Sequence, residues 1–124
     1  MIPFYQRFHG HNSLRYVYKN GKAVRSHLMT VKVTVNPHRK NSRVAVVVSK
    51  KILKSAVRRN RIRRRVYEYV RNEIINFNDT YDVVIIITSS ELLNISFNDI
   101  SDQINQLFNQ VNVLKSKAPV SKKQ

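Results

Sequence analysis

The stretch RVAVVVSKKILKSAVRRNRIRRRVYEYV, residues 43–70, runs from a strand pattern through a basic turn into a helix pattern. Residues 43–49 are mostly β-branched and apolar at successive positions, which is typical of a strand covered on both faces and predicts a central place in a sheet. Apolar residues at helical spacing then predict a long basic helix from about 55 to 77. A second apolar run at 81–89 predicts another strand buried on both faces. Two such strands joined by a helix predict a parallel crossover.

The N-terminal part of the chain predicts a helix followed by a half-buried strand. Residues 11–21 read as a short helix, with Asn12 or Ser13 as its N-cap and Gly21 as a left-handed residue after its end. Residues 28–36 alternate between apolar and polar side chains, as a strand with one face on a core does. The predicted core side carries Met29, Val31, Val33 and Val35, and the polar side carries Thr30, Lys32 and Thr34.

The C-terminal part predicts a last helix over residues 96–111. Ser96 and Asp99 form a capping-box pattern at its start. The apolar stripe that follows comprises Ile100, Ile104, Leu107, Phe108 and Val111. The order of elements is αββαβα, with room for an extra short strand, and it predicts an α+β two-layer sandwich with a mixed sheet. Residues 1–114 are expected to form a single domain and residues 115–124 a basic, disordered tail.

Composition excludes several classes of protein. The chain has 124 residues, 42% of them hydrophobic, which is enough for one real core. It has no Cys, so neither a disulfide framework nor a thiolate zinc site can form. Cations interrupt the N-terminal segment at Arg7, Arg15 and Lys19, so that segment is neither a signal peptide nor a membrane span. We find no Gly-rich phosphate loop and no catalytic or metal-binding set of side chains.

Positive charge is concentrated in the first half of the chain. The net charge is +16. Residues 1–67 hold 18 Lys or Arg and no acid, whereas residues 68–124 hold five bases and all seven acids, a net charge of −2. A surface of this kind attracts a polyanion. Nucleic acid is the first candidate, and an anionic membrane surface is the second.

The predicted basic helix separates an apolar arc from most of its arginines. At 100° per residue the apolar arc contains Ala56, Ile62, Val66, Tyr69, Val70, Ile74 and Phe77. Arg58, Arg61, Arg64 and Arg65 fall outside this arc. Arg59 and Arg63 fall inside it, so we expect the first turns to extend beyond the sheet edge. Asn60 both donates and accepts hydrogen bonds, and it suits a base edge or a 2′-hydroxyl better than a phosphate.

A solvated charged face is the structural alternative for these arginines. Solvated helical charges commonly have acids at i,i+4, but the pair Arg64–Glu68 is the one such pair that the six arginines could form. Residues 50–65 hold nine bases and no acid. Release of counterions from bound phosphates would offset this repulsion.

The segment VSKKILKSAVRRNRIRRRVYE, residues 48–68, resembles the signature of the bacterial ribonuclease P protein subunit. The residues that match the signature are Arg59, Asn60 and Arg61 in its central triplet and Arg63 and Arg64 in the basic pair after it. The resemblance extends from about residue 7 to residue 111. Leu53 stands where the family often has Gly, so the family's tight backbone is in question there. The segment before Phe8 has fewer Lys and Arg residues than the N-terminal segment of the family usually has.

The resemblance implies a function that composition does not. Members of the family join a large catalytic RNA that removes the 5′ leader of precursor tRNA, so the chain is expected to be the protein subunit of a tRNA-maturing endoribonuclease. The RNA would carry the hydrolysis and the Mg²⁺, and the protein would supply no catalytic side chain, cofactor or metal site. The implied partners are ribonuclease P RNA and precursor tRNA, in the cytoplasm, with no membrane and no obligate protein partner. The family also implies a left-handed strand–helix–strand crossover, against the usual right-handed preference.

The resemblance also assigns two binding surfaces. Residues implied to bind the catalytic RNA are Lys50, Lys51, Lys54, Arg58, Arg59, Asn60, Arg61, Arg63, Arg64 and Arg65. Residues implied to line a cleft for the single-stranded leader are Leu14, Arg15, Tyr18, Thr30, Lys32 and Thr34. An aromatic side chain among cations suits a single strand, because bases stack and phosphates pair with charge. Lys32 stands where the family often has an aromatic residue. The alternative is that Leu14, Val17 and Tyr18 only anchor the first helix to the core.

Two other functions remain open at this point. One is a general RNA- or DNA-binding protein, such as a ribosomal component, with the same basic helix and no leader cleft. The other is a peripheral membrane protein, which would need a basic helix with an exposed apolar face.

Overall fold

The fold matches the predicted order, with one short strand added. A computed structural model describes residues 11–37 and 40–114, and the predicted tail at 115–124 lies outside them. The helices and strands are α1 His11–Asn20, β1 Lys22–Arg25, β2 Met29–Val35, β3 Arg43–Val48, α2 Ala56–Glu73, β4 Tyr81–Ile87 and α3 Phe97–Gln110. Short 3-10 turns occupy Ile74–Asn76 and Ser90–Leu93. The α+β class and the mixed sheet are confirmed.

The four strands form one sheet in the order β1-β2-β4-β3. β1 pairs with β2 and β2 with β4 in antiparallel fashion, whereas β3 and β4 are parallel. The predicted parallel crossover through α2 is therefore confirmed, and its left-handed sense stays a prediction. β4 is central, as its two buried faces indicated. The prediction that residues 43–49 form a central strand is wrong, because β3 lies at the edge of the sheet.

Edge strand β3 is apolar because both of its faces are covered, although no strand of the described chain pairs with its outer edge. Val44, Val46 and Val48 join the main core under α2. The Tyr67 hydroxyl of α2 accepts a hydrogen bond from the Val46 N–H at 3.2 Å and lies 3.5 Å from the Val44 carbonyl oxygen. It thus occupies polar backbone groups that an edge strand would otherwise leave open. Sequence periodicity reports covered faces but not edges, which explains the wrong prediction.

The main core lies between one face of the sheet and helices α2 and α3. Ile62, Val66 and Val70 of α2 are fully buried there, as is Phe108 of α3. Tyr67 is also buried, although it lies outside the arc that helical spacing predicted, and Ala56 of that arc is exposed. The predicted cap of α3 is confirmed, because the Ser96 hydroxyl accepts from the Asp99 N–H at 3.1 Å.

Helix α1 covers part of the opposite face, where its Val17 joins Ala45 and Val84 in a small second cluster. The helix ends at Gly21, whose N–H donates to the Val17 carbonyl at 2.8 Å. The predicted left-handed backbone at Gly21 is wrong, because its φ lies outside that region. Glycine is needed there for space instead. A Cβ at this position would lie 2.7 Å from the Val17 carbonyl oxygen and 3.0 Å from that of Val33.

A buried ion pair joins the strands at one end of this second face. The Arg43 guanidinium donates to both oxygens of the Asp82 carboxylate, at 3.0 and 2.8 Å. The Asn36 side-chain amide donates to the same carboxylate at 2.9 Å. Such bidentate bonds satisfy a carboxylate removed from water. Asp82 is therefore a structural residue that ties β3 and β4 to the end of β2.

Candidate nucleic-acid interface

A basic turn and a capped helix start place cations together after β3. In the turn, the Ser49 carbonyl accepts from the N–H groups of Ile52 and Leu53. Leu53 is partly buried against the main core, and the one non-glycine residue with positive φ in the described ranges is Asn112. The Leu side chain therefore fits this position without requiring the backbone freedom of Gly. Ser55 caps α2, since its hydroxyl accepts from the Arg58 N–H at 3.3 Å.

Three arginines of α2 form an exposed stripe. Arg58, Arg61 and Arg64 follow one another at i+3 spacing and are all exposed. The residues Lys50, Lys51 and Lys54 of the preceding turn are exposed as well. The first turn of α2 contains no acid. The positive end of the helix dipole and six cationic side chains therefore act on the same solvent region.

The other three arginines of residues 50–65, which are Arg59, Arg63 and Arg65, are partly buried and bonded within the protein. Arg59 donates to the carbonyls of Leu53 and Lys54, at 2.9 and 2.7 Å. Arg65 donates to the carbonyl of Leu92 at 2.6 Å and to that of Ile95 at 2.5 Å. These bonds attach α2 to the basic turn on one side and to the segment before α3 on the other.

Arg63 and Asn60 interact with each other. The Arg63 guanidinium donates to the Asn60 side-chain oxygen at 2.6 Å. The Asn60 amide nitrogen can still donate to RNA, and its oxygen keeps a second lone pair, so the proposed contact of Asn60 with RNA stays a prediction. Asn60 itself is exposed.

Carboxylates do not neutralise this surface. The one i,i+4 pair that these arginines could form with an acid, Arg64–Glu68, is not made; Glu68 accepts from Arg71 instead, at 2.5 and 2.7 Å. Within residues 11–37 and 40–114 the ion pairs are His27–Glu91, Arg43–Asp82 and Arg71–Glu68. None of them involves a cation of residues 50–65. The alternative was a solvated helix face whose arginines pair with acids of the same chain. No such pair is formed by residues 50–65 within the described ranges.

Val57 is a feature of this surface that the helical pattern did not reveal. It lies in the first turn of α2, beside the cations, and is 76% exposed. A β-branched apolar side chain gains nothing from solvent there. In the sequence, the feature that could have indicated Val57 is its position at the start of the helix, where apolar residues give way to basic ones.

A second polar surface lies where α1 meets β2. Lys32 and Tyr18, both predicted for the leader cleft, are in contact. The Lys32 ammonium donates to the Tyr18 carbonyl at 3.3 Å and lies 5.2 Å from the centre of the Tyr18 ring. That distance is within the range of a cation–π interaction. Tyr18 is 40% exposed, and partial burial raises the pKa of its hydroxyl.

The other residues predicted for this cleft differ in accessibility. Thr30 is buried and offers little surface. The Thr34 hydroxyl oxygen is buried, has no hydrogen-bond partner among the residues that the structure describes, and lies beside Gly21. Leu14 and Arg15 belong to α1, and their contacts with a leader stay predictions. Among the described side chains, Tyr18 and Lys32 are the predicted cleft residues that contact each other.

In the described part of the chain, no helix is long and apolar enough to span a bilayer. The apolar face of α2 packs on the sheet, so it is not exposed for insertion into a membrane surface. Among the same residues, no group of three or more His, Asp or Glu side chains could hold a metal ion.

Together these features define a small, strongly basic α+β protein. Its cations at residues 50–65 form no ion pair within the described part of the chain, and its Lys32 contacts the Tyr18 ring where α1 meets β2. Comparison with known proteins identifies the family. The family model described as Ribonuclease P matches residues 3–112. The ribonuclease P protein component of Prochlorococcus marinus strain AS9601 is 31% identical over 132 residues, which cover 98% of each chain.

Solved structures agree in fold. The RNase P protein of Staphylococcus aureus superposes with a TM-score of 0.78 at 21% identity, over 89% of this chain and 98% of that one. The RNase P protein of Thermotoga maritima gives a TM-score of 0.72 at 25% identity, over 83% and 96% of the two chains. The chain therefore belongs to the ribonuclease P protein family. As a ribonuclease P protein component it is part of a tRNA-processing ribonuclease and has an RNA partner.

Proposed function

We propose that this chain binds the catalytic RNA of ribonuclease P and the single-stranded 5′ leader of precursor tRNA, and so assists removal of the leader. The observation that carries the proposal is the cationic stretch 50–65, which holds nine bases and forms no ion pair with an acid of the described chain. Crowded like charges lower stability in the free protein. They are accounted for when a polyphosphate partner supplies the missing negative charge.

The arginines of α2 divide into two roles in this proposal. Arg58, Arg61 and Arg64 reach phosphates of the catalytic RNA, together with Lys50, Lys51 and Lys54 of the turn. Arg59 and Arg65 hold the helix in position through backbone carbonyls. Arg63 orients Asn60, whose free amide donors can reach a base or ribose oxygen. Val57 can pack on a sugar or base edge at the helix start.

The leader lies along the surface between α1 and the open face of the sheet. Tyr18 offers an exposed aromatic ring, and Lys32 offers a cation beside it. A single strand binds well to such a combination, because its bases stack and its phosphates pair with charge.

The chemistry belongs to the RNA subunit and its Mg²⁺ ions. Among the described residues, no group of three or more His, Asp or Glu side chains could hold a metal ion. The protein acts by binding: it raises affinity for the substrate that carries a leader and offsets repulsion between two RNAs. We place this activity in the cytoplasm, with no obligate protein partner.

Reconstitution tests the proposal. The chain is mixed with a bacterial ribonuclease P RNA at low Mg²⁺, where the RNA alone cleaves poorly, and cleavage of precursor tRNA is measured. We expect the protein to restore cleavage at the 5′ end and to raise affinity for precursor tRNA above that for mature tRNA. Equal affinity for the two tRNAs, with no rescue of cleavage, would instead indicate a general nucleic-acid-binding protein.

A further inference from the structure

A cation on the open face of the sheet was not among the predicted cleft residues. Arg25 is the last residue of β1, lies directly opposite Thr30 of β2, and is exposed. Alternation along the strands places Arg25, Thr30 and Lys32 on the same face. Arg25 and Lys32 are diagonal neighbours across β1 and β2, a relation that separates side-chain origins by about 7–8 Å.

Among the described residues, the surface beside these cations is exposed to solvent. α1 covers the neighbouring strands through Val17, which clusters with Ala45 of β3 and Val84 of β4. On β1 the residue opposite Lys32 is Ala23, which is small and exposed. An extended ligand strand can therefore lie over Ala23, with Arg25 at one end of the diagonal and Lys32 at the other. In the described part of the chain, neither Arg25 nor Lys32 forms an ion pair.

The Tyr18 ring is already engaged on one side. The Lys32 ammonium lies over it at 5.2 Å from the ring centre and donates to the Tyr18 carbonyl. A nucleobase that stacked on this side would displace the ammonium. A phosphate, by contrast, can accept from the remaining ammonium protons and leave both contacts in place.

We propose that Arg25 and Lys32 form a two-cation strip on β1 and β2 that binds successive phosphates of the single-stranded leader. This inference rests on the proposed function and deepens it. Affinity at the strip then depends on the presence of the leader backbone and on salt, and little on the identity of the leader bases. Arg25 is the residue that extends the cleft from β2 to the sheet edge.

Edge protection is the competing explanation for Arg25, because cations on edge strands prevent pairing with other chains. Lys22 provides a matched control. It lies on the same short strand, is also exposed, and points to the other face, opposite Val33. If these cations only protect the sheet edge, substitutions of Lys22 and of Arg25 should have similar effects. If the open face binds phosphates, only substitution of Arg25 should weaken binding.

The experiment uses the holoenzyme reconstituted with a bacterial ribonuclease P RNA. Affinities for precursor and mature tRNA are measured over a range of salt for the wild type, Arg25→Ala, Arg25→Lys and Lys22→Ala. Precursors with all-A and all-U leaders report on base identity. We expect Arg25→Ala to weaken precursor binding several-fold and to reduce its salt slope by about 0.7, the value for one single-strand phosphate contact. Mature tRNA binding should not change, Arg25→Lys should retain most of the affinity, and Lys22→Ala should resemble the wild type.

Three results would overturn the inference: equal effects of Arg25→Ala and Lys22→Ala, equal losses for precursor and mature tRNA, or a loss seen with one leader sequence and not the other. Thermal unfolding of each variant separates a folding defect from a binding defect. The proposed function fails separately, if wild-type holoenzyme does not prefer precursor to mature tRNA. If Arg25→Ala keeps the full wild-type preference for precursor over mature tRNA, only the proposed two-cation strip is ruled out.

Discussion

At the scale of single residues, the protein contains arginines of equal charge in very different settings. Arg61 is exposed on the unpaired stripe of α2, and Arg71 is exposed on the same helix but bonded to Glu68. We expect Arg61→Ala to weaken binding to the catalytic RNA and to lower the salt slope of binding by about one unit, because one phosphate contact is lost. Titration of a bacterial ribonuclease P RNA at several salt concentrations measures both quantities.

Arg71→Ala is the matched control for this experiment, since it removes the same charge from the same helix. Its effect on the salt slope should be small. If the two variants gave the same slope, RNA binding would reflect net charge alone and not a specific stripe.

At the scale of secondary-structure elements, the orientation of α2 depends on bonds that its own sequence pattern does not show. The Arg65 guanidinium joins α2 to the segment before α3 through the Leu92 and Ile95 carbonyls. We expect Arg65→Met to lower the free energy of unfolding by about 1.5–3 kcal/mol, the range for hydrogen bonds to charged groups. The salt slope of RNA binding should remain that of the wild type, because the phosphate contacts stay the same. Urea unfolding and salt-dependent binding give the two readouts.

The neighbouring Arg64→Met should behave in the opposite way. Arg64 is exposed and unpaired among the described residues, so its loss should leave stability nearly unchanged and flatten the salt slope. A slope that flattened equally in Arg65→Met would show that Arg65 contacts RNA rather than holding the helix.

At the scale of the whole molecule, the packing of α2 against α3 links stability to pH. Tyr69 is buried between them, its ring lies 6.1 Å from that of Phe108, and its hydroxyl donates to the Asn105 side chain at 3.3 Å. Burial, with smaller contributions from Glu73 and Asp102, raises its pKa far above the usual value of 10. The folded state therefore resists loss of this proton, whereas the unfolded chain releases it near pH 10.

The raised pKa of Tyr69 makes the folded protein less stable at alkaline pH than at neutral pH. The contribution of Tyr69 to stability is complete below pH 10 and is lost progressively as the pH rises toward its folded-state value. We expect Tyr69→Phe to lose about 0.5–1.5 kcal/mol at neutral pH with its hydrogen bond, and to lose less stability than the wild type above pH 10. Urea unfolding at pH 7 and at alkaline pH measures the difference. Parallel loss of stability in both proteins would show that Tyr69 ionises equally in the two states.

Local pattern predicted most elements of this fold and part of its site. Alternation in β2, the Ser96 cap and the long basic helix are encoded by neighbours in sequence, so they could be read directly. The edge position of β3 and the burial of Tyr67 could not be read from the sequence. A covered strand face has the same apolar pattern whether the strand is central or at an edge. Arg25 was missed because β1 is only four residues long and shows no pattern of its own.

The sequence by itself determined that nine cations between residues 50 and 65 would lie without acids beside them, since charge composition does not depend on the fold. It also determined the three helices and the strands β2, β3 and β4, because their periodicity is local. Only the tertiary structure decided which arginines remain exposed, because Arg59 and Arg65 meet carbonyls that belong to other segments of the chain. It also decided that Lys32, Tyr18 and Arg25 share one surface, since that depends on strand pairing and on the packing of α1, which bring distant parts of the sequence together.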